Sequence, residues 1–130
     1  MARGRDRHDA RQAALAALGK DLSRRGGSAC ELCGGKDTPR PVLVPPPKIP
    51  DLDNAILACA CCRGLLEGGR LPDADDLRFL ETAIWSEVGP VQIAAVRLLR
   101  RLVAEEIDWA QEAESGLWLD DEVQERISAD

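Results

Sequence analysis

The sequence predicts a small α+β protein: a cysteine-bearing module with a short β-hairpin, followed by a mainly helical remainder. Three observations predict it. Two Cys-x-x-Cys pairs, Cys30/Cys33 and Cys59/Cys62, are separated by 25 residues, six of them proline. Two short aliphatic runs, "VLV" at 42–44 and "AILA" at 55–58, lie between the pairs and read as strands. Beyond residue 70 the apolar residues recur at helical spacing. A chain of 130 residues suits one domain, or a small metal module with a helical extension.

Residues 8–25 read as a helix, with Leu15, Leu18 and Leu22 on one stripe and Asp9 as N-cap. Gly26-Gly27 stop it after Arg24-Arg25, which suit the negative helix end. The six prolines between 39 and 50 exclude helix there, and "PPPKIPDLDN" reads as a loop joining the two strands. Residues 62–67 start a short helix that Gly68-Gly69 end. A longer helix is expected over 73–86, with Asp73 as cap and Leu77, Leu80 and Ile84 on one face. Pro90 suits the first turn of the next helix, 90–105. Its stripe is Val91, Ala95, Leu98 and Leu102, widened by Ile93, Val96, Leu99 and Val103; Arg97, Arg100 and Arg101 take the remaining face. "DWAQEAESGLW" continues as short helix and turn, and Asp120 or Asp121 caps a last helix to about Ala129. The expected organisation is a basic helix over 1–27, a metal module over 28–70, and a helical region over 71–130 with an acidic end.

Net charge is −6 but polarised. Residues 1–27 hold seven Lys/Arg and three acids, or +4; residues 104–130 hold one Arg and ten acids, or −9. No apolar run reaches the roughly 18–20 residues that span a bilayer. The opening "MARGRDRHDARQ" leads into no signal-peptide core, so a cytoplasmic, membrane-free protein is expected. In that setting clustered cysteines favour metal over disulfides.

Cys30, Cys33, Cys59 and Cys62 are the candidate ligands of one structural Zn²⁺. Zinc takes four donors at tetrahedral corners, with sulfur at about 2.3 Å. Two cysteines three apart can share an ion only across a tight turn, which Gly34-Gly35 permits. Such binding contributes on the order of 10–16 kcal/mol in zinc-finger peptides, more than this proline-rich stretch gains by burial. An iron–sulfur cluster or redox thiols are the alternatives. Cys61 in place of Cys62 would leave a Cys-x-Cys pair; the spacing that matches the first pair favours Cys62, and Cys61 then reads as a spare thiol. Catalytic zinc keeps an open position and usually a His or carboxylate ligand. The single histidine, His8, lies far from the knuckle in sequence, so no catalytic residue is assigned.

The order "CELCG", hairpin, "DNAILACACC" resembles a treble clef, the layout of HNH-type nucleases. Where those enzymes place histidines this chain has "PVLVPPP", and Asn54 alone matches. The likeness implies at most a catalytically dead nucleic-acid-binding module. A second resemblance covers about 100 residues. "RRGGSACELCGG…VPPP…LDNAILACACC", then "AIWSEVGPVQIAAVRLLRRL", then "DWAQEAESGLWLDDEV", resembles the N-terminal part of PhnA-like proteins, named for the alkylphosphonate utilisation operon. It implies a zinc-binding module followed by helices, with Cys30, Cys33, Cys59 and Cys62 as ligands. The chain departs by carrying Cys61 and by ending at Asp130, where many relatives continue into a small β-rich domain.

Three roles follow as expectations: a non-enzymatic zinc module that binds a protein or nucleic acid; an accessory protein or hydrolase of phosphonate metabolism; and the dead HNH-like module. Nucleic-acid binding needs a basic face joining the first helix to Arg97, Arg100 and Arg101. Otherwise those arginines form a solvated face, pairing along the helix with Glu105 and Glu106. Trp85, Trp109 and Trp118 are expected to pack between helices.

Overall fold

The computed structural model describes residues 2–129, with side chains from Asp6 onward. Among them lie seven α-helices and one two-stranded antiparallel sheet. Two helices open the chain, α1 (Ala2–Ala17) and α2 (Gly19–Gly26). The expected single helix over 8–25 is therefore two, and it starts ahead of Asp9. The break falls at Leu18-Gly19, where Leu18 N–H bonds back three residues to the Leu15 carbonyl. Gly27, at φ 67°, closes α2 in the left-handed region as expected.

Strands β1 (Arg40–Leu43) and β2 (Ala55–Ala58) pair with Arg40 opposite Ala58 and Leu43 opposite Ala55. Pro41 is tolerated because a two-stranded ribbon has only edges. Every β2 residue is buried, since both faces of the ribbon are covered. Ile56 and Ala58 join the main core, while Ala55 and Leu57 join Leu15 and Leu22 in a second, smaller core under α1 and α2.

Helix α3 (Ala60–Leu66) begins between the two cysteines of the second pair, two residues ahead of the expected start at 62. The helix expected over 73–86 is broken: Ala74–Leu77 is 3₁₀, and only α4 (Leu80–Ala83) is α-helical. Asp73 does cap it, its side chain accepting from Asp75 N–H. The segment then bonds largely from residue i to i−3, as Asp76 to Asp73, Glu81 to Arg78 and Trp85 to Thr82. Aspartates at 73, 75 and 76 are weak formers of helix interior and favour such local bonding.

Helix α5 (Gly89–Ala104), with Pro90 in its first turn, is the central element. It touches β2, α3, α4, α6 (Asp108–Ser115) and α7 (Asp121–Ser128). Val91, Ile93, Ala94, Ala95, Val96, Leu98, Leu99 and Leu102 are all buried, so its apolar surface extends nearly all round. Asp120 caps α7, accepting from Val123 N–H at 2.9 Å. The same core continues into Cys30, Cys59 and Cys62, so the cysteine cluster sits on the wall of the helical core. No described helix is long and apolar enough to cross a membrane.

Candidate metal centre

The chain order is knuckle, hairpin, helix. The first knuckle turns at Cys30–Gly35: Gly34 N–H bonds to the Cys30 carbonyl at 2.9 Å, and Cys30 N–H to the Gly35 carbonyl at 2.8 Å. Gly34 stands at φ +79°, and a Cβ on Gly35 would lie 3.2 Å from the Cys33 sulfur. Both positions thus favour glycine, one for conformation and one for space. Gly35 N–H also points at Cys33 Sγ, 3.3 Å away. The second pair brackets the start of α3, with Cys59 as its N-cap and Cys62 within its first turn. Arg63 fastens that turn by donating to the Thr38 and Ala58 carbonyls.

These two turns bring the sulfurs of Cys30, Cys33, Cys59 and Cys62 within 4.8 Å of one another. Cys33 Sγ and Cys59 Sγ are 3.6 Å apart. A tetrahedral ion with bonds of about 2.3 Å to sulfur needs edges of about 3.8 Å. The quartet is therefore the right size to hold one metal ion. Cys61 is outside the cluster and exposed, and His8 is exposed on α1.

Without a metal the cluster is electrostatically tense. The Cys62 thiol donates to Cys30, which holds the Cys30 thiol down at about 4 against its burial. Cys62, as that donor and as a buried group, is pushed well up. Partial burial pushes the Cys33 thiol up to about 11. One thiolate thus collects the hydrogen bonds of neighbours that cannot ionise beside it. A divalent cation relieves that conflict by attracting all four thiolates at once, although the filled site still carries a net charge of −2.

A second layer of contacts locks the knuckles to the hairpin. Glu31 N–H donates to the Leu57 carbonyl at 2.8 Å, and Glu31 Oε1 accepts from Leu57 N–H at 2.8 Å. Arg25 of α2 grips both Glu31 oxygens, at 2.7 and 3.0 Å, and also donates to the Leu52 and Ala55 carbonyls. Sequence reasoning missed this pair, although an acid inside the Cys-x-x-Cys loop was a visible signal.

Asn54 is fully buried. Its Oδ1 accepts from Asp51 N–H at 2.7 Å, and its Nδ2 donates to the Pro47 and Ile49 carbonyls at 2.7 and 2.6 Å. Its side chain is consumed in organising the proline-rich loop. The arginines of α5 are also engaged by neighbouring elements. Arg97 donates to the Arg126 carbonyl, Arg101 to the Leu65 and Gly69 carbonyls, and Arg100 meets Glu114 at 3.3 Å rather than Glu105 or Glu106.

The tryptophans split. Trp109 is half-buried under Arg78, whose guanidinium carbon lies 5.2 Å from the ring centre. Trp85 and Trp118 are 52% and 75% exposed, which corrects the expectation that all three pack between helices. Trp85 forms one side of a cleft with Phe79, Ala83, Leu32 and Cys33. "WSEVGP" forms an elbow: Ser86 Oγ accepts from Val88 N–H, and α5 starts at Gly89. No family model, curated protein or solved structure matches the chain.

Proposed function

We propose that this chain is a structural-zinc protein, in which Cys30, Cys33, Cys59 and Cys62 hold one Zn²⁺ and the folded whole serves as a non-enzymatic binding module. The observation that carries the reading is the quartet of sulfurs gathered within 4.8 Å from two distant turns. Four thiolates fill the tetrahedral shell and leave no position for a reactive water. The ion's work is then to hold the first knuckle against α3 and, through β2, against the core around α5. Sulfur-only donor sets suit zinc. The family is PhnA-like, a reading supported by the likeness of the "CELCG" knuckle, "WSEV" and the late Trp-then-"LDDE" segment to those proteins.

The phosphonate-hydrolase and dead-nuclease readings gain no specific support from these contacts. Asn54 spends its side chain on the loop, and the α5 arginines spend theirs on carbonyls and Glu114.

Native mass spectrometry with and without chelator tests the proposal. One zinc per chain, lost together with helical circular dichroism on chelation, is the expected result. A chain that keeps its fold and binds no zinc refutes it.

A further inference from the structure

The four cysteines are unequally sheltered. Cys30, Cys59 and Cys62 are buried, whereas Cys33 is the least buried of the four. A cleft of about 490 Å³ lies against Cys33, walled by Leu32, Phe79, Ala83 and Trp85. A small solute therefore has a path to one corner of the site and not to the other three. The Cys59 sulfur lies 3.6 Å from that of Cys33, on the opposite knuckle.

From this geometry we infer that the centre is a peroxide-sensitive zinc-release switch, with Cys33 as the thiolate oxidised first and Cys59 as the thiolate that resolves it. The inference rests on the zinc reading above. In the first step the Cys33 thiolate attacks one oxygen of hydrogen peroxide. The O–O bond breaks, a sulfenic acid forms, and hydroxide leaves. In the second step the Cys59 thiolate attacks the sulfenic sulfur. The S–O bond breaks, a second hydroxide leaves, and a disulfide forms. Two thiolates give two electrons to one peroxide, which becomes two hydroxides. The sulfurs need to close from 3.6 Å to about 2.05 Å.

The ion then has two thiolates in place of four and is released. The new bond joins the two knuckles that the ion had joined, so the turns stay together and a thiol reductant restores the site. Cys61 is exposed, but it stands outside the cluster. Its oxidation leaves the ion's shell complete.

The test uses the full zinc-loaded chain, its metal content measured before oxidant is added. Hydrogen peroxide is titrated in while a chromophoric indicator reads free zinc, and disulfides are mapped by peptide mass spectrometry. One zinc released per chain, in step with a Cys33–Cys59 linkage and reversed by a thiol reductant, is the expected result. Cys33→His, which keeps four donors, should slow release about tenfold or more, because the accessible thiolate is gone. Cys61→Ser should leave the release unchanged. Zinc retained while only Cys61 oxidises overturns the inference, as does a first linkage within one pair. Should Cys33→His take up no zinc, the linkage map of the unsubstituted chain decides alone. A chain with no zinc before oxidation refutes the metal reading itself, and the preliminary metal analysis distinguishes that outcome.

Discussion

Arg25 and Glu31 form a two-pronged ion pair, at 2.7 and 3.0 Å, that ties the last turn of α2 to the first cysteine knuckle. The Glu31 side chain is only 5% exposed and Arg25 23%, so the pair is largely withdrawn from water. Glu31 also accepts from the Leu57 N–H, and Arg25 also donates to the Leu52 carbonyl of the loop and the Ala55 carbonyl of β2. One carboxylate thus connects helix, knuckle and β2.

Glu31→Ala should destabilise the zinc-loaded protein by about 2–4 kcal/mol, since it strands a half-buried guanidinium and a buried backbone N–H. Glu31→Gln, which keeps one acceptor, should lose less. Urea unfolding measures both. A loss within about 0.5 kcal/mol for Glu31→Ala, the range of ordinary surface changes, would show that the pair is incidental.

Asn54 supports a sharper contrast. Asn54→Ala should cost about 2–3 kcal/mol for the loop hydrogen bonds it removes. Asn54→Asp should cost more at neutral pH, because a carboxylate would face the Pro47 and Ile49 carbonyls that Nδ2 now serves. Those carbonyls raise the folded-state pKa of the new carboxyl above its unfolded value. The penalty is therefore smallest below the unfolded value of about 3.9 and grows as pH rises toward the folded one. Thermal melts from acid to neutral pH check the sign; equal penalties at both ends would contradict the assigned contacts.

Zinc affinity should be steeply pH-dependent. In the free cluster Cys30 is ionised near neutrality, its thiol held at about 4, while Cys33, pushed up to about 11, and Cys62, also raised, keep their protons. Zinc must expel at least the latter two protons. Apparent affinity should then rise at least about 100-fold per pH unit around neutrality and fall equally on acidification. Competition against a zinc chelator across that range reads the slope, and a flat profile would remove four-thiolate binding.

Arg101 closes the end of α3 by donating to the Leu65 and Gly69 carbonyls at 2.8 and 2.6 Å. Arg101→Ala should cost about 1–2 kcal/mol and Arg101→Lys less. Denaturant titration tests it, and an unchanged midpoint for Arg101→Ala would place the side chain in solvent.

The local features were legible because they are written in adjacent residues. The two Cys-x-x-Cys spacings, the capping residues Asp73 and Asp120, and Pro90 at the head of α5 each do in the structure what short-range chemistry demands. What was not legible depends on partners remote in sequence. Arg97 and Arg101 read as a polar face, yet their acceptors are carbonyls of Arg126, Leu65 and Gly69, supplied by other elements. β2 read as an ordinary short strand, and its burial on both faces follows only once α2 covers one side and α5 the other. The helix over 73–86 failed because its apolar spacing outweighed, in the reading, the local bonding of three aspartates. Trp85 and Trp118 defied their bulk: each stands on the surface beside a turn rather than between helices.

The account turns on a coordination shell closed by sulfur alone. X-ray absorption fine structure at the zinc edge measures that shell directly in the reconstituted protein. Four sulfur scatterers at about 2.3 Å are predicted. Three sulfurs with one oxygen or nitrogen neighbour would leave a corner open to water and contradict it.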